Sequence, residues 1–264
     1  MSIGTLVFSH ANSYPAGCYR VLFERWRAAG WRVEALDRFG HDPRFPVTGD
    51  WRKLRDQLID FIEHGVKPDG QVALVGHSLG GMLSLMATCR RPDLVSRLVM
   101  LDSPVVTGLK AAAVAMAKTT GLMNRYGPSK IARERRHSWP SREAVYAHFS
   151  AKKMFARWDP RVLADYVQAG FEEADGQVQL RFKREVEAHV YRTLPHHLPL
   201  LLRLRPPQCP VAFVGGTRSA ELRQAGATAS KKLAGENWRW MEGSHLFPFE
   251  KPDETADLVL ELLA

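Results

Sequence analysis

Residues 76–81 read GHSLGG and place a serine between glycines at the spacing G-x-S-x-G. An apolar run precedes this motif and a helix-like segment follows it, so we expect Ser78 at a sharp turn between a strand and a helix. Such a turn strains the backbone of its central residue, and Gly76 and Gly80 avoid side-chain clashes there. The hydroxyl of Ser78 would face a crevice as a nucleophile, and the N–H of Leu79 would point at a developing oxyanion.

A serine nucleophile needs a base, and His245 is the candidate. The stretch EGSHLFPFEKP (residues 242–252) places it in a loop after the last predicted strand and just before the last helix. Of the ten histidines, His245 alone falls in the late loop that the chain order serine, acid, histidine requires. We therefore expect His245 to take the proton of Ser78 and to return it to the leaving group.

No single acid stands out in the sequence as the group that would orient this histidine. The loop after the strand CPVAFVGG contains residues 216–220, GTRSA, and no aspartate. Two carboxylates remain: Asp102, at the end of the neighbouring strand RLVMLD, and Glu221, which comes one residue late and can already belong to a helix. We favour Asp102 because it should face the same crevice as Ser78, and we keep Glu221 as the alternative acid. A histidine held without an acid is a third option.

The elements that must position these residues alternate along the chain. Apolar runs predict strands at residues 4–10, 31–37, 71–76, 97–102, 209–216 and, more weakly, 237–243. Helical spacing predicts helices at residues 16–30 and 50–65, from residue 79, and at about 250–263. This order predicts an α/β fold with a mostly parallel sheet of about six strands and helices on both faces.

Residues 104–207 interrupt the alternation. They are helical in character, rich in Arg, Lys and His, and contain no convincing apolar strand. We interpret them as an inserted helical cap, with residues 1–103 and 208–264 forming the core. Its apolar residues would suit an acyl pocket with a basic rim, although a solvated basic face over a packed helical core explains the same composition. These residues are Met116, Leu122, Met123, Tyr126, Trp139, Tyr146, Phe149, Phe155 and Trp158.

Four segments together resemble the α/β-hydrolase superfamily, in the branch with a cap after the fourth of these strands. They read FSHANSYPAG, GHSLGG, LVMLDSP and GSHLFPFEKP and are spread from residue 8 to residue 252. The resemblance implies that HAN (residues 10–12) corresponds to the family's His-Gly-x segment, with Ala11 in place of the usual glycine. The backbone N–H of Asn12 would then be the second oxyanion donor beside Leu79.

The resemblance further implies acyl transfer to water, with a carboxylic ester as substrate. Thioesterase, lactonase and C–C hydrolase activities use the same machinery and stay open, as does a non-catalytic binding scaffold. A serine at position 78 argues against epoxide hydrolase or dehalogenase chemistry, for which the family typically has an aspartate there. The expected partner is a small-molecule ester or thioester.

Composition limits the remaining classes. Hydrophobic content of 45% and charged content of 25% are ordinary for a soluble globular protein. The net charge of +9 comes from basic residues that mostly alternate with acids, and no nucleic-acid-binding motif accompanies them, so we predict no nucleic-acid partner. Three cysteines without metal-ligand spacing predict reduced thiols and a cytoplasmic location, and we separately expect neither a metal nor a cofactor. We expect no signal peptide and no membrane span, and the oligomeric state is not predicted.

Overall fold

A computed structural model of the chain describes residues 3–121 and 127–264. Its main sheet contains β1 (Gly4–Ser9), β2 (Trp31–Ala35), β3 (Val72–His77), β4 (Val95–Leu101), β8 (Val211–Gly216) and β9 (Trp238–Met241). The strands lie in the order β2-β1-β3-β4-β8-β9, and every neighbouring pair is parallel. The predicted parallel sheet of about six strands is therefore confirmed.

Helices cover both faces of this sheet. They are α1 (Arg20–Ala28), α2 (Arg52–Asp60), α3 (Leu79–Arg90), α10 (Ala220–Ala225), α11 (Thr228–Ala234), α12 (Phe247–Glu250) and α13 (Pro252–Leu263). Along β1, the side chains of Leu6 and Phe8 enter one apolar cluster and that of Val7 enters another. The central strands β3 and β8 read as nearly continuous apolar runs because both faces of the sheet are buried there, whereas the edge strands β2 and β9 contain charged residues and are only partly buried.

The carboxyl ends of the central strands meet at one edge. His77, the last residue of β3, is in register with Leu101 of β4, and Leu101 is in register with Val214 of β8. The ladder continues one residue further, since the N–H of Ser78 donates to Leu101 O at 2.9 Å and the N–H of Asp102 donates to Val214 O at 2.8 Å. Ser78 and Asp102 therefore leave adjacent strands side by side.

Residues 104–207, the insertion, lie between β4 and β8. They contain α4 (Gly108–Thr119), α5 (Pro128–Glu134), α6 (Arg142–Ser150), α7 (Pro160–Ala169), α8 (Arg184–Arg192) and α9 (Leu198–Leu204). They also form an antiparallel sheet of β5 (Ser138–Trp139), β6 (Phe171–Ala174) and β7 (Gln177–Leu180) in the order β5-β7-β6. The interval is therefore not purely helical, as the interpretation of an inserted helical cap had it, although none of its described strands is apolar. The strands are short and polar, and the available signal was the turn at Asp175-Gly176, where both residues have positive φ.

The insertion packs directly onto the rest of the chain. Trp139, Phe149, Phe155 and Trp158 are buried in the same apolar cluster as Phe8 of β1. Met116 and Tyr146 are exposed instead, which does not fit an apolar pocket, and Leu122, Met123 and Tyr126 lie outside the described residues. The division into a core and a separate cap domain stays a prediction. In the described parts of the chain, no helix is both long enough and apolar enough to span a bilayer.

Candidate active site

The turn between β3 and α3 holds Ser78 in strained geometry, with φ 54° and ψ −115°. Its glycines are required by close backbone approaches. A Cβ on Gly80 would lie 1.9 Å from Ser9 O, and one on Gly76 would lie 2.5 Å from the carbonyl carbon of Gly80. The start of α3 therefore touches the end of β1, and the Ser78 side chain is lifted clear of the strand at the edge described above.

His245 lies in the loop between β9 and α12. The Glu250 carboxylate fixes this loop by accepting hydrogen bonds from the Ser244 N–H at 3.0 Å and from the Ser244 hydroxyl at 2.6 Å. The Ser244 hydroxyl in turn accepts from the N–H of Leu246 at 3.1 Å. Held in this way, His245 Nε2 is 2.9 Å from Ser78 Oγ, which is hydrogen-bonding distance.

Asp102 stands behind the histidine, with its Oδ2 2.6 Å from His245 Nδ1. Its side chain is fully buried and its backbone has a positive φ of 44°. The carboxylate also accepts hydrogen bonds from the Gly216 N–H at 2.7 Å and from the Ser219 hydroxyl at 2.5 Å. Since a carboxylate only accepts, the proton on His245 must be on Nδ1, which leaves Nε2 free to act as a base toward Ser78.

Glu221 does not contact the histidine in the same way. Its Oε2 is 4.0 Å from His245 Nδ1, and 52% of its side chain is exposed. It lies in the first turn of α10, as the sequence suggested for a late acid. The structure therefore brings Ser78, His245 and Asp102 together and leaves Glu221 at the rim.

The environment of His245 makes its imidazole more basic. Burial alone would lower the pKa, because a charged ring loses its hydration. The hydrogen bond and charge of Asp102, together with the charge of Glu221, outweigh this effect and raise the pKa above its ordinary value of 6.5. The imidazolium that forms when Ser78 loses its proton is thus stabilised by the same carboxylate that orients the ring.

The two predicted oxyanion donors lie at the same edge of the sheet. Asn12 is in the loop after β1, and Leu79 is the first residue of α3, which touches that strand through Gly80. The backbone N–H groups of Asn12 and Leu79 have no hydrogen-bond acceptor among the described residues. The Nδ2 of Asn12 donates to the backbone oxygen of Glu187 in the insertion at 3.1 Å, whereas its buried Oδ1 has no hydrogen-bond partner among the described residues.

Asp102, Glu221 and His245 also form a group that could hold a metal ion, since each offers one ligand atom and these atoms lie within 4.8 Å of one another. The hydrogen bonds argue against this use. Both Asp102 oxygens already accept protons, and the 2.6 Å contact to His245 Nδ1 requires a proton where a metal would have to bind. The donor set fits a serine–histidine–acid arrangement better than a metal site.

Sequence reasoning missed the groups that hold Asp102 and His245 in place. Ser219 looked like a residue standing where an acid was expected, whereas its hydroxyl donates to the acid that is present. A signal existed, because Ser219 also caps α10 by accepting from the N–H of Leu222 at 3.0 Å, and a serine before a helix predicts that role. His77 was missed as well, and its Nε2 lies 2.9 Å from the backbone oxygen of His245.

Comparisons with known proteins agree with this architecture. Over 98 residues the chain is 35% identical to a probable esterase, PIR7A, of Oryza sativa subsp. indica, covering 36% of this chain and 37% of that protein. Over 126 residues it is 32% identical to a monoacylglycerol lipase of Mycolicibacterium smegmatis, covering 45% of each. These matches thus span less than half the length of either relative.

A solved structure, E-2-(acetamidomethylene)succinate hydrolase, shares the fold with a TM-score of 0.78 at 20% identity, covering 98% of this chain and 91% of that one. The sequence model of the alpha/beta hydrolase family matches residues 6–258. This match extends from β1 into α13 and includes the turn at Ser78 and the loop of His245. The resemblance seen in the sequence motifs is therefore confirmed, and the chain belongs to the alpha/beta hydrolase family.

Proposed function

We propose that the protein hydrolyses carboxylic esters through an acyl-enzyme on Ser78. One observation carries this proposal: hydrogen-bonding distances run without interruption from Ser78 Oγ through His245 to Asp102, at 2.9 and 2.6 Å. Matches to an esterase and to a lipase support the choice of esters, although each covers under half of the chain. A binding scaffold has no need of a nucleophile and a base in contact.

In the first half of the reaction, Ser78 Oγ forms a bond to the carbonyl carbon of the ester while its proton passes to His245 Nε2. The carbonyl electron pair moves onto oxygen, where the N–H groups of Asn12 and Leu79 stabilise the negative charge. When the tetrahedral intermediate collapses, the bond to the alcohol breaks and His245 gives the proton to the departing oxygen.

In the second half, a water molecule attacks the acyl carbon and loses a proton to His245 Nε2. Collapse of the second intermediate returns this proton to Ser78 Oγ and releases the carboxylic acid. Throughout both halves, Asp102 holds the ring with its Nδ1 protonated and stabilises each imidazolium. Glu221 contributes only its charge, from the rim of the site.

The insertion would act as the cap that selects the substrate. It reaches the oxyanion loop through the contact between Asn12 and the backbone of Glu187. It also contacts α12, the helix that follows the loop of His245, because the N–H of Asp159 donates to Phe249 O at 2.8 Å and the Trp158 ring packs on Phe249. The three free cysteines support a reducing compartment, and we place the protein in the cytoplasm.

A panel of p-nitrophenyl esters, thioesters and lactones tests the proposed reaction. We expect ester turnover by the wild type, covalent labelling of Ser78 by a fluorophosphonate, and a loss of about 10⁴- to 10⁶-fold in kcat for Ser78→Ala. Ser96→Ala is the matched control, because Ser96 lies at the opposite end of β4 and donates to Val72 O at 3.1 Å.

The same panel decides against the proposal if folded wild-type protein shows neither labelling nor turnover, which would favour a binding scaffold. Faster turnover of thioesters or lactones than of esters would keep the mechanism and change the substrate class.

A further inference from the structure

A buried chain of hydrogen bonds joins the oxyanion loop to the backbone of His245. The N–H of Ala11 donates to the hydroxyl of Tyr19 at 3.1 Å, and this hydroxyl is 2.8 Å from His77 Nδ1. On the far side of the ring, His77 Nε2 is 2.9 Å from the backbone oxygen of His245. Two side chains thus connect segments from opposite ends of the sequence.

The direction of each hydrogen bond follows from its partners. A backbone carbonyl only accepts, so His77 must carry its proton on Nε2 and donate it to His245 O. Nδ1 of the neutral ring is then an acceptor, and the Tyr19 hydroxyl must donate to it. The lone pairs of the Tyr19 oxygen remain to accept the N–H of Ala11, so every donor in the chain has one acceptor.

A second imidazole holds the other side of the oxyanion loop. The N–H of Phe39 donates to His10 Nε2 at 3.0 Å, so His10 must be protonated on Nδ1, which lies 2.8 Å from Ala11 O. The N–H and the carbonyl of Ala11 are therefore both fixed by aromatic side chains. Asn12, whose N–H is the proposed oxyanion donor, is the next residue.

The residues of this hydrogen-bond chain are buried, so bulk water does not compete for their donors and acceptors. Tyr19, His77 and His10 are fully buried, and Ala11 is 2% exposed. Burial is the main cause that lowers the pKa of His10 to about 4 and the pKa of His77 well below 6.5. Both rings are therefore neutral near pH 7, in the states that the hydrogen bonds require.

No strand-to-strand ladder replaces this connection. β1, which carries the oxyanion loop, is separated from β9, which precedes His245, by β3, β4 and β8. At ordinary strand spacing this is about 19 Å of sheet. The distance between the oxyanion donors and the imidazole must be kept within about 0.5 Å for catalysis, and the chain of hydrogen bonds is a direct polar link between the backbones that carry them.

We propose that Tyr19 and His77 are positioning residues that hold the oxyanion loop and the His245 imidazole in register for the reaction. The proposal rests on the proposed function for its catalytic consequence. Neither side chain touches the substrate; each acts through the backbone of Ala11 or of His245. Removing the link should therefore slow the chemical step while leaving substrate binding nearly unchanged.

The test compares Tyr19→Phe, His77→Leu and His77→Gln on an activated ester. Tyr19→Phe removes one oxygen, and His77→Leu removes both ring nitrogens. We expect each to lower kcat by about 10- to 100-fold with KM within about two-fold. The double variant Tyr19→Phe/His77→Leu should be no slower than the more impaired of the two single variants, because both substitutions interrupt one chain of hydrogen bonds. The matched control is Tyr166→Phe, a buried tyrosine whose hydroxyl lies outside this chain.

His77→Gln separates positioning from bulk structure. An amide can accept from the Tyr19 hydroxyl through its oxygen and donate to His245 O through its nitrogen, so we expect this variant to keep most of the wild-type kcat. Equal losses for His77→Gln and His77→Leu would overturn the proposal, as would wild-type kcat in both Tyr19→Phe and His77→Leu. If His77→Leu does not fold, Tyr19→Phe alone decides.

A readout independent of turnover keeps the proposal distinct from the proposed function. The Nδ1 proton of His245, shared with Asp102 at 2.6 Å, should give a strongly deshielded proton resonance. We expect this resonance to shift or broaden in Tyr19→Phe but not in Tyr166→Phe. An unchanged resonance would overturn the positioning role, whereas an inactive wild type with the expected shift would overturn only the hydrolase proposal.

Discussion

The insertion and the rest of the chain differ first in charge. Residues 104–207 contain 18 Lys and Arg against 9 Asp and Glu, whereas residues 1–103 and 208–264 contain 19 of each. The entire net charge of +9 thus belongs to the insertion. Buried polar atoms without a hydrogen-bond partner among the described residues also concentrate in the insertion, for example in Ser129, Trp139 and Arg192, whereas the rest of the chain has Asn12 Oδ1 and Trp238 Nε1.

The polar groups around Asp102 and His245, in the neutral region, are hydrogen-bonded to one another instead. Asp102 accepts three hydrogen bonds, and Ser219, Ser244 and Glu250 each fix a neighbouring loop. Such a network is preorganised, so that little rearrangement is needed when charge develops. The two regions therefore differ in both charge and pairing: the proposed reacting groups are fixed where the protein is neutral, and we propose that the positively charged insertion acts on the approach of a ligand.

Among the substitutions that test this difference between the regions, Asp102→Asn should lower kcat the most. The amide keeps the shape of the side chain but has no negative charge, so the imidazolium loses its stabilisation and the wrong ring nitrogen can carry the proton. We expect kcat on an activated ester to fall by about 10⁴-fold, as in serine proteases with the same substitution. Steady-state kinetics of the purified variant measures this loss.

Asp37→Asn is the control, because Asp37 follows β2 and its carboxylate is paired with Arg181 at 2.9 Å, away from His245. If Asp102→Asn retains more than about a tenth of the activity, the acid lies elsewhere. The double variant Asp102→Asn/Ser219→Asp should recover part of the loss, because it moves a carboxylate to the loop after β8, where the Ser219 hydroxyl lies 2.5 Å from Asp102 Oδ2.

Local sequence patterns decided which residues of the candidate site could be predicted. Ser78 and His245 were predictable because each depends on a local pattern, a strand–glycine–helix turn and a loop between the last strand and the last helix. The choice between Asp102 and Glu221 was not decided by local pattern, since it depends on how far two side chains reach across β4 and β8.

Links between distant segments gave no local signal. Tyr19 and His77 are 58 residues apart, and only their place in the folded chain shows that they share a proton. In the insertion, β6 and β7 have polar residues on short strands, so neither hydrophobic periodicity nor length favoured them. The parallel sheet was predictable for the converse reason, because its central strands, such as β3 and β8, are buried on both faces and are almost continuously apolar.

A smaller effect is expected from Ser219→Ala, which tests whether the network around Asp102 is preorganised. A hydrogen bond to a charged group contributes about 1.5–3 kcal/mol, and part of this is expressed in the transition state, so we expect kcat to fall about 10-fold. Loss of the cap on α10 should also lower Tm. Ser219→Thr, which keeps the hydroxyl, is the control, and equal kcat in Ser219→Ala and wild type would show that Asp102 needs no such support.

Glu221→Gln should change the pH dependence more than the rate. The charge of Glu221 helps to raise the pKa of His245, so its removal lowers that pKa toward the value that burial favours. Because the neutral imidazole is the active base, the acidic limb of kcat/KM should move to lower pH, while the plateau changes less than about three-fold. A fall of the plateau comparable to that of Asp102→Asn would instead make Glu221 the acid.

The smallest expected effect is on the salt dependence of kcat/KM, which tests the positive charge of the insertion. Its positive field should attract a negatively charged ester over distances comparable to the Debye length, about 10 Å at 0.1 M salt. We therefore expect kcat/KM for a hemisuccinate ester of p-nitrophenol to fall roughly three-fold as salt rises from low to physiological concentration, while that for the neutral butyrate ester stays constant. Replacing the exposed Arg203 and Arg205 by glutamine should flatten this dependence, whereas Lys232→Gln, on α11 of the neutral region, should not. Equal salt dependence for the two esters would mean that the charge difference between the regions plays no part in substrate approach.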